Sequence, residues 1–261
     1  MWFNINPIII ESDIQEIIEL SITDFLDISN PNIEKLTGDN KLSNVYVINN
    51  KYLIKIVTRR HVEYHRLLTL FWNASLSYSR CDSFFEPFDS PYEMVQQEYM
   101  MAKKMIDANI KTPQPINYGD YNDCGVIILE YIPNAIQFGD INKNNSTDMA
   151  HMLFSEVKKL HDKDIAHGDL QQDNILISDN ELYIIDANNI NNNVEEYKYY
   201  DIASVIATAS TVLEIEKSIH IARKYFSDES IKKSVNFVDI IAIQSGHDTN
   251  RSKIKKEVQS I

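Results

Sequence analysis

The chain has 261 residues, with 25 Lys or Arg against 38 Asp or Glu, a formal net charge of −13 and a mean hydropathy of −0.30. This length suffices for one good hydrophobic core or for two small lobes. No apolar run is long enough to cross a bilayer, and so acidic a chain lacks the broad basic face that binds nucleic-acid backbones. We therefore expect neither a membrane nor a nucleic acid as a direct partner.

The compartment is predicted from the cysteines and the first residues. Cys81 and Cys124 are the two cysteines and lie far apart, which is typical of reduced thiols in a cytoplasm. Residues 1–7 lack the basic start and the small-residue cleavage site of a signal peptide. A cytoplasmic location is the resulting expectation.

The first part of the chain predicts a helix followed by strands. Apolar residues recur at helical spacing over 11–28, and an Asn-Pro-Asn break follows at 30–32. Residues 33–48 predict two strands joined by a tight polar turn that begins at Gly38. A second polar turn at Asn49 and Asn50 leads into a third strand.

The next segment predicts a helix and a loop. Residues 61–73 have the apolar spacing of a helix, and residues 74–90, rich in Ser, Asp and aromatics, predict an inserted loop. His61 and His65 lie one helical turn apart, which raises the hypothesis of a metal site. That hypothesis is weak, because Glu63 would point away from the pair and the order is not that of a zinc-binding helix.

Two charged residues occupy positions that the patterns assign to a core. The third strand, 52–57, is apolar on both faces except for Lys55. The helix predicted over 92–108 carries Glu98 inside its apolar stripe. A buried charge is costly unless it is paired, so we predict that these two side chains face each other. The alternative is that each extends separately to solvent.

The middle of the chain predicts a strand and a helix before the most informative stretch. A buried strand over 126–129 ends in the sequence Glu-Tyr-Ile-Pro at 130–133. Asn145 and Ser146 predict the N-terminal cap of a helix with one apolar face, which ends near Leu160.

The stretch His-Gly-Asp-Leu-Gln-Gln-Asp-Asn over 167–174 opens an apolar strand. A hairpin turn over 178–181 returns the chain through a second strand that ends on Asp186. Asp186 therefore comes back near Asn174 and the loop that holds Asp169. Two carboxylates and an amide suit a magnesium–nucleotide phosphate site, since Mg²⁺ takes a few hard oxygen ligands and completes its shell with water and phosphate. The alternative is three polar residues that cap a hairpin.

These residues resemble the protein-kinase-like superfamily. His167, Gly168 and Asp169 followed by Asn174 are similar to its catalytic loop, and Asp186 is similar to the metal-binding Asp of its Asp-Phe-Gly motif. The glycine after the histidine is more like the small atypical kinases, namely the RIO-like enzymes and the kinase of the KEOPS tRNA-modification complex, and like the aminoglycoside phosphotransferases. The resemblance spans residues 33 to 215.

The chain departs from the superfamily pattern after Asp186. Ala187 and Asn188 stand where Phe-Gly would follow, and the Asn-rich link to a helix predicted to start near Tyr200 is too short for a regulated activation segment. Asn188 could supply the left-handed residue of the turn. Asp201 resembles the aspartate that holds the catalytic-loop backbone, although a charge favoured by a helix N-terminus would explain it equally well.

The resemblance implies a role for each site residue. Lys55, braced by Glu98, would neutralise nucleotide phosphate charge, as such pairs do in kinases. The turn at Gly38 would cover the phosphates weakly, because no glycine-rich loop is present. Backbone groups of Glu130 and Ile132 would contact adenine. The remaining roles fall to the hairpin region: Asp169 as the base for the acceptor, and Asn174 and Asp186 as ligands of Mg²⁺.

The expected fold class is α+β, a two-lobed protein-kinase-like fold with an N-lobe antiparallel sheet plus C helix and a small, mainly helical C-lobe. The expected boundaries are an N-terminal helical extension at 1–30, an N-lobe at 31–131 with an insert at 61–90, a C-lobe at 132–244 and a frayed polar tail at 245–261.

The expected function is that of an atypical serine/threonine protein kinase that uses ATP and Mg²⁺. Its acceptor is an unknown hydroxyl, with a protein favoured over a metabolite, and a protein complex partner is also expected. Two alternatives stay open: a small-molecule kinase of the aminoglycoside or sugar type, and a nucleotide-binding or ATPase-like partner subunit without phosphotransferase activity.

Overall fold

The computed structural model describes residues 11–36, 44–78, 85–187, 194–244 and 250–261. The chain forms two compact units. Unit 1 comprises Met1–Leu68, Pro87–Tyr99 and Gln114–Pro133, and unit 2 comprises Thr69–Glu86, Met100–Pro113 and Asn134–Ile261. Within the described ranges, no helix has both the length and the apolar character needed to cross a membrane.

Unit 1 is built on a five-stranded antiparallel sheet. Its elements, in chain order, are α1 (Glu11–Phe25), β1 (Ile33–Lys35), β2 (Asn44–Ile48), β3 (Tyr52–Val57), the first part of α2 (Arg59–Tyr78), the first part of α3 (Pro91–Asp107), β4 (Pro115–Tyr121) and β5 (Cys124–Glu130). The strand order is β1-β2-β3-β5-β4. The central strand β3 pairs with β2 and β5, so its backbone groups are hydrogen-bonded on both sides.

Both faces of this sheet are covered, which explains why β3 is apolar on both faces apart from Lys55. Successive side chains of a strand point to opposite faces. Ile54 and Ile56 pack with Ile17 and Ile18 of α1 in one buried cluster. Lys55 points to the other face, the one that meets α3. The N-terminal helix is thus an integral part of unit 1.

Close approach of α3 to the sheet depends on one glycine. A Cβ built on Gly125 in β5 would lie 2.2 Å from the backbone oxygen of Pro91, the first residue of α3. That distance is too short for any side chain, and the blocking atom belongs to the backbone. Gly125 therefore allows the start of α3 to contact the strand.

Aspartate and asparagine provide the left-handed backbone of the turns. Every residue other than glycine with positive φ in the described part of the chain is Asn or Asp. The loop between β4 and β5 consists of Asn122 and Asp123, with φ of 50° and 62°, because Tyr121 and Cys124 are paired directly. Short polar side chains tolerate this region better than others, so a chain with six glycines still forms tight hairpins.

Unit 2 is mainly helical and contains a small three-stranded sheet of order β6-β7-β8. Beyond the remainders of α2 and α3, its elements are β6 (Ile136–Gln137), α4 (Ser146–Asp162), β7 (Ile175–Ser178), β8 (Glu181–Ile184), α5 (Val194–Ala209), α6 (Ile215–Ala222), α7 (Asp228–Ser234), α8 (Val238–Gln244) and α9 (Arg251–Gln259). Its core is a separate hydrophobic cluster in which α4 and α5 are buried together.

Two predicted element boundaries were wrong, and one predicted cap lacks its hydrogen bond. Helix α2 continues to Tyr78, so residues 74–78 are helical and not part of a loop. Helix α5 begins at Val194, not near Tyr200, because Tyr197 and Tyr200 pack around Phe85 and extend the buried face upstream. Asn145 does occupy the N-cap position of α4, but its side chain makes no capping hydrogen bond.

The tail is polar, as predicted, but the expectation that it is frayed was wrong for residues 250–261. Residues Arg251–Gln259 form α9, which is capped at its start by the Asn250 side chain accepting from the Lys253 amide. Ile254 and Val258, one turn apart, are both 1% exposed within the core of unit 2. Burial of this apolar pair outweighs the high polarity of the rest of the segment.

We predict that α9 contributes measurably to the stability of unit 2. Replacing Ile254 with Ala removes a buried side chain from a packed core, which should lower the free energy of unfolding by about 2–5 kcal/mol. Urea unfolding followed by circular dichroism measures the change. Lys256→Ala, at an exposed position of the same helix, is the matched control and should change stability by less than about 0.5 kcal/mol. Equal stability of the two variants would show that α9 is not packed against the core of unit 2.

Candidate active site

Unit 1 contains the predicted ion pair. The Lys55 Nζ lies 3.1 Å and 3.0 Å from the two carboxylate oxygens of Glu98, and the side chains are only 10% and 4% exposed. The lysine therefore contacts both oxygens of one carboxylate, with β3 and α3 bringing together residues 43 positions apart. The prediction that these two charges meet is confirmed, and the alternative in which each extends separately to solvent is wrong.

The two histidines of α2 have structural partners in unit 1. The Nδ1 atom of His61 accepts a hydrogen bond of 2.8 Å from the Thr58 amide at the helix start. The His65 ring lies 4.9 Å from that of Phe88, centroid to centroid. Burial lowers the pKa of both imidazoles. These contacts account for both side chains, and in the described ranges no group of three or more metal-ligating side chains occurs.

The end of β5 presents the backbone groups that the sequence assigns to nucleotide contact. The Glu130 amide donates to the Gln114 carbonyl at 2.8 Å, and the Tyr131 amide donates to the Lys51 carbonyl at 2.9 Å. Within the described residues, the Ile132 amide donates to no protein acceptor, although Ile132 is only 8% exposed. A buried amide of this kind is available to a ligand or to water. Gly38, the predicted phosphate-covering turn, lies outside the described residues.

In unit 2, Asp201 holds the backbone of the predicted catalytic loop. Its Oδ2 accepts from the His167 amide and its Oδ1 from the Gly168 amide, each at 2.8 Å. The Nε2 atom of His161 lies 3.1 Å from Oδ2. Asp201 is the eighth residue of α5 and is 0% exposed, so the explanation by a helix N-terminus is wrong. This geometry agrees with the predicted resemblance of Asp201 to the aspartate that holds the catalytic-loop backbone in the protein-kinase-like superfamily.

A second contact from α5 holds the other end of the loop. The Thr208 hydroxyl donates to the Leu170 carbonyl at 2.7 Å, two helical turns beyond Asp201. Between these anchors Gly168 has φ of 81°, a conformation that side chains rarely adopt. The path of the backbone therefore favours glycine in the His-Gly-Asp sequence.

The carboxylate of Asp169 is held by two side-chain amides. The Asn174 Nδ2 donates to Oδ2 at 2.8 Å and to the Asp169 backbone oxygen at 2.9 Å. The Gln171 Nε2 donates to Oδ1 at 2.5 Å. Burial raises the pKa of the Asp169 carboxyl above its usual range, and the negative charge of Asp186 raises it further, while Gln171, His167 and Asn174 oppose this shift. An oriented carboxylate with a raised pKa is suited to general-base chemistry.

The hairpin brings Asp186 beside this loop. The Ile185 amide donates to the Asn174 carbonyl at 2.9 Å, and the Ile185 carbonyl accepts from Nε2 of His167 at 3.0 Å. Asp186 itself takes the left-handed conformation, with φ of 59°. The turn was predicted to place this conformation on Asn188, which lies outside the described residues.

Asn174 and Asp186 fit a magnesium ion by the chemistry of their donors. Both atoms that face Asn174 Nδ2 are acceptors, so this nitrogen must be the NH₂ group and the amide oxygen is on the other side. That oxygen and the Asp186 carboxylate are the hard oxygen ligands that Mg²⁺ takes, and Mg²⁺ commonly keeps only one or two protein ligands. Asn174 and Asp186 are therefore suitable ligands for Mg²⁺.

Sequence reasoning missed three residues of this region. Gln171, Thr208 and His161 each contact the loop or its anchor, as given above. Gln171 lies two residues after Asp169 and could have been noticed from the motif. The other two lie 38 and 40 residues from their partners, and no local pattern distinguishes them.

We predict strong coupling between Lys55 and Glu98. Lys55→Met leaves the Glu98 carboxylate buried without its cation and should lower the free energy of unfolding by about 3–5 kcal/mol. Adding Glu98→Gln should restore part of that loss, because the unpaired charge is removed. Urea unfolding of the two single variants and the double variant gives the coupling free energy, and additive effects would contradict the pairing.

Comparison with known proteins places this geometry in a family. A model of the RIO domain matches residues 44–207, more than half of the chain. The solved GDP and kanamycin complex of APH(2″)-IIia superimposes with a TM-score of 0.57, covering 94% of this chain and 96% of that one, at 11% sequence identity. At this identity the likeness shows the fold alone. The predicted protein-kinase-like α+β fold class, with its antiparallel N-terminal sheet, is confirmed.

Curated relatives match shorter stretches. The chain is 28% identical over 95 residues to the probable bifunctional tRNA threonylcarbamoyladenosine biosynthesis protein of Thermoplasma acidophilum, covering 36% of this chain and 17% of that protein. It is 34% identical over 106 residues to a subunit of the EKC/KEOPS complex of Debaryomyces hansenii, covering 34% and 40%. It is 32% identical over 98 residues to the 3-deoxy-D-manno-octulosonic acid kinase of Vibrio cholerae, covering 34% and 41%.

Each of these matches spans less than half of the relative's own length. The similarity therefore concerns a shared domain and not the whole of any relative. The family model, which covers residues 44–207, includes the ion pair of unit 1 and the anchored loop of unit 2. The chain belongs to the RIO domain family, within the atypical protein-kinase-like superfamily.

Proposed function

We propose that this protein is an ATP-dependent phosphotransferase that moves the γ-phosphate of ATP to a hydroxyl acceptor. The observation that carries the proposal is the Asp169 carboxylate, oriented by two side-chain amides on a loop that Asp201 anchors to α5. In protein kinases a carboxylate on this loop orients the attacking hydroxyl and accepts its proton, and Asp169 is placed on the loop for that role.

The roles of the other residues follow from the family resemblance. Lys55, braced by Glu98, neutralises charge on the phosphates, and the backbone carbonyl of Glu130 and amide of Ile132 contact adenine. Asn174 and Asp186 hold Mg²⁺, which offsets the negative charge of the phosphates when it is bound. Two observations support these assignments: within the described ranges the Ile132 amide donates to no protein acceptor, and the Lys55 amine contacts both oxygens of Glu98.

The acceptor is proposed to be a serine or threonine hydroxyl of a protein. The names of two relatives support the two alternatives, a small-molecule kinase and an ATPase-like partner subunit. The relative named as a 3-deoxy-D-manno-octulosonic acid kinase supports a small-molecule acceptor. The relative named as a subunit of a complex supports a partner protein, and an ATPase-like role within it. The cytoplasmic location expected from the sequence stays a prediction.

Incubation with γ-labelled ATP separates these functions. Label on the protein or on added protein substrates indicates a protein kinase, label on a member of a metabolite panel indicates a small-molecule kinase, and release of free phosphate alone indicates an ATPase. The same assay with Asp169→Asn is the control for contaminating kinases.

Mg-ATP should stabilise the fold. A ligand that binds only the folded state, at a free concentration of about 100 times its Kd, adds about 2.7 kcal/mol to the free energy of unfolding. A thermal-shift titration with Mg-ATP measures this effect, and ATP with excess chelator is the control that should give a smaller shift. No rise in Tm with Mg-ATP would contradict the assignment of the nucleotide site.

The two carboxylates should have separable effects. Asp169→Asn keeps the shape of the side chain but loses its basicity, so turnover should fall by roughly 10²–10⁴ while Mg-ATP affinity stays nearly unchanged. Asp186→Asn removes a charged oxygen ligand, so the magnesium-dependent part of ATP binding should weaken together with turnover. Equal losses of Mg-ATP affinity in both variants would show that Asp169 belongs to the nucleotide site, against this division of roles.

A further inference from the structure

Both carboxylate oxygens of Asp169 are occupied by donors of the protein itself. Asn174 donates to Oδ2 and Gln171 donates to Oδ1. A carboxylate oxygen has about two acceptor sites, so an attacking hydroxyl either shares an oxygen with one of the two amides or displaces that amide.

The two amides are anchored by different numbers of hydrogen bonds. Asn174 makes two bonds, to Oδ2 and to the backbone oxygen of Asp169, and its own carbonyl accepts from Ile185. Gln171 makes one side-chain bond, has a longer and more flexible side chain, and lies in extended backbone just before the short 3-10 helix Gln172–Asn174. Gln171 is therefore the amide that can leave.

We propose that Gln171 is a positioning residue that occupies Oδ1 of Asp169 until an acceptor hydroxyl displaces it, and that it thereby suppresses transfer of the γ-phosphate to water. This inference rests on the proposed phosphotransferase function and deepens it. It assigns Gln171 a part in choosing between water and the true acceptor.

The selectivity has a simple energetic origin. Breaking a hydrogen bond from an amide to a carboxylate costs free energy, because charge-assisted bonds are stronger than neutral ones. A large acceptor offsets that cost with contacts made by its non-reacting parts, as remote binding energy does in many enzymes. A water molecule has no such parts, so it competes poorly for Oδ1 while Gln171 is in place.

The reaction that Gln171 would suppress is ordinary hydrolysis. The oxygen of a water forms a bond to the γ-phosphorus while the bond from that phosphorus to the bridging oxygen of ADP breaks, and ADP leaves with the electron pair. Asp169 takes the proton from the water. Without the Gln171 amide, Oδ1 accepts that proton with no displacement step.

The chain offers a matched control at the next position. Gln172 has the same side chain and is also half-buried. Its side chain lies against Gly139, since a Cβ added at Gly139 would be 2.3 Å from the Gln172 Oε1 atom. The Gln172 side chain makes no hydrogen bond to Asp169. Gln172→Ala therefore removes a neighbouring amide without exposing Oδ1.

The test measures phosphate release from Mg-ATP in the absence of any acceptor. Gln171→Ala should release phosphate about tenfold faster than the unmodified protein, equivalent to about 1.4 kcal/mol in the barrier. Gln171→Leu keeps the bulk but not the donor and should also be faster, while Gln172→Ala should not. Structural damage would slow the reaction, so a gain in rate is a result that a purely structural role would not produce.

Two results would overturn the proposal. One is an unchanged or lower rate in Gln171→Ala, and the other is a gain in Gln171→Ala that is missing in Gln171→Leu, which would assign the effect to bulk instead of the hydrogen bond. The gain must also vanish when Asp169→Asn is added. If the labelled-ATP assay shows no Asp169-dependent transfer and Mg-ATP gives no thermal shift, the proposed function itself fails. If release depends on Asp169 but not on Gln171, this inference alone fails.

Discussion

The site in unit 2 depends on one buried carboxylate, Asp201. A charge that is 0% exposed is unfavourable unless hydrogen bonds replace its water, and here two loop amides and a histidine do so. The benefit is reciprocal, because the irregular loop backbone at His167 and Gly168 could not otherwise satisfy its buried amides. A rigid helix thus fixes a segment without secondary structure, and Asp169 follows that segment directly.

The left-handed conformation links the turns of this chain to its site. The same property that lets Asn and Asp form the hairpin turns allows Asp186 to end its strand with φ of 59°. In a chain with six glycines, two serve different purposes in the described structure. Gly125 gives room for α3, and Gly168 gives the loop its path.

The ion pair of unit 1 connects burial with function. Lys55 occupies a central strand whose two faces are covered, and Glu98 gives its amine a partner in that setting. Removing either partner would leave the other as a buried charge without its counter-ion. For a phosphotransferase, this arrangement keeps a lysine charged and oriented where the family uses it to contact phosphates.

Local sequence patterns determined much of the fold and of the candidate site. The Lys55–Glu98 pair was predictable because each charge interrupts an apolar pattern, and the hairpin that ends on Asp186 was predictable because turn residues separate two short apolar runs. The His-Gly-Asp motif identified the loop. In each case the informative residues are recognised from their near neighbours in the sequence.

Only the tertiary structure decided the features that depend on distant partners. Asp201 proved to lie inside α5 because aromatic packing around Phe85 extends that helix, and Ile254 and Val258 proved to be core residues because other helices of unit 2 cover them. Thr208 contacts a carbonyl 38 residues away. The physical reason is that a residue is buried by other parts of the fold. The sequence of a short polar segment with two apolar residues does not show which helices will cover those two residues.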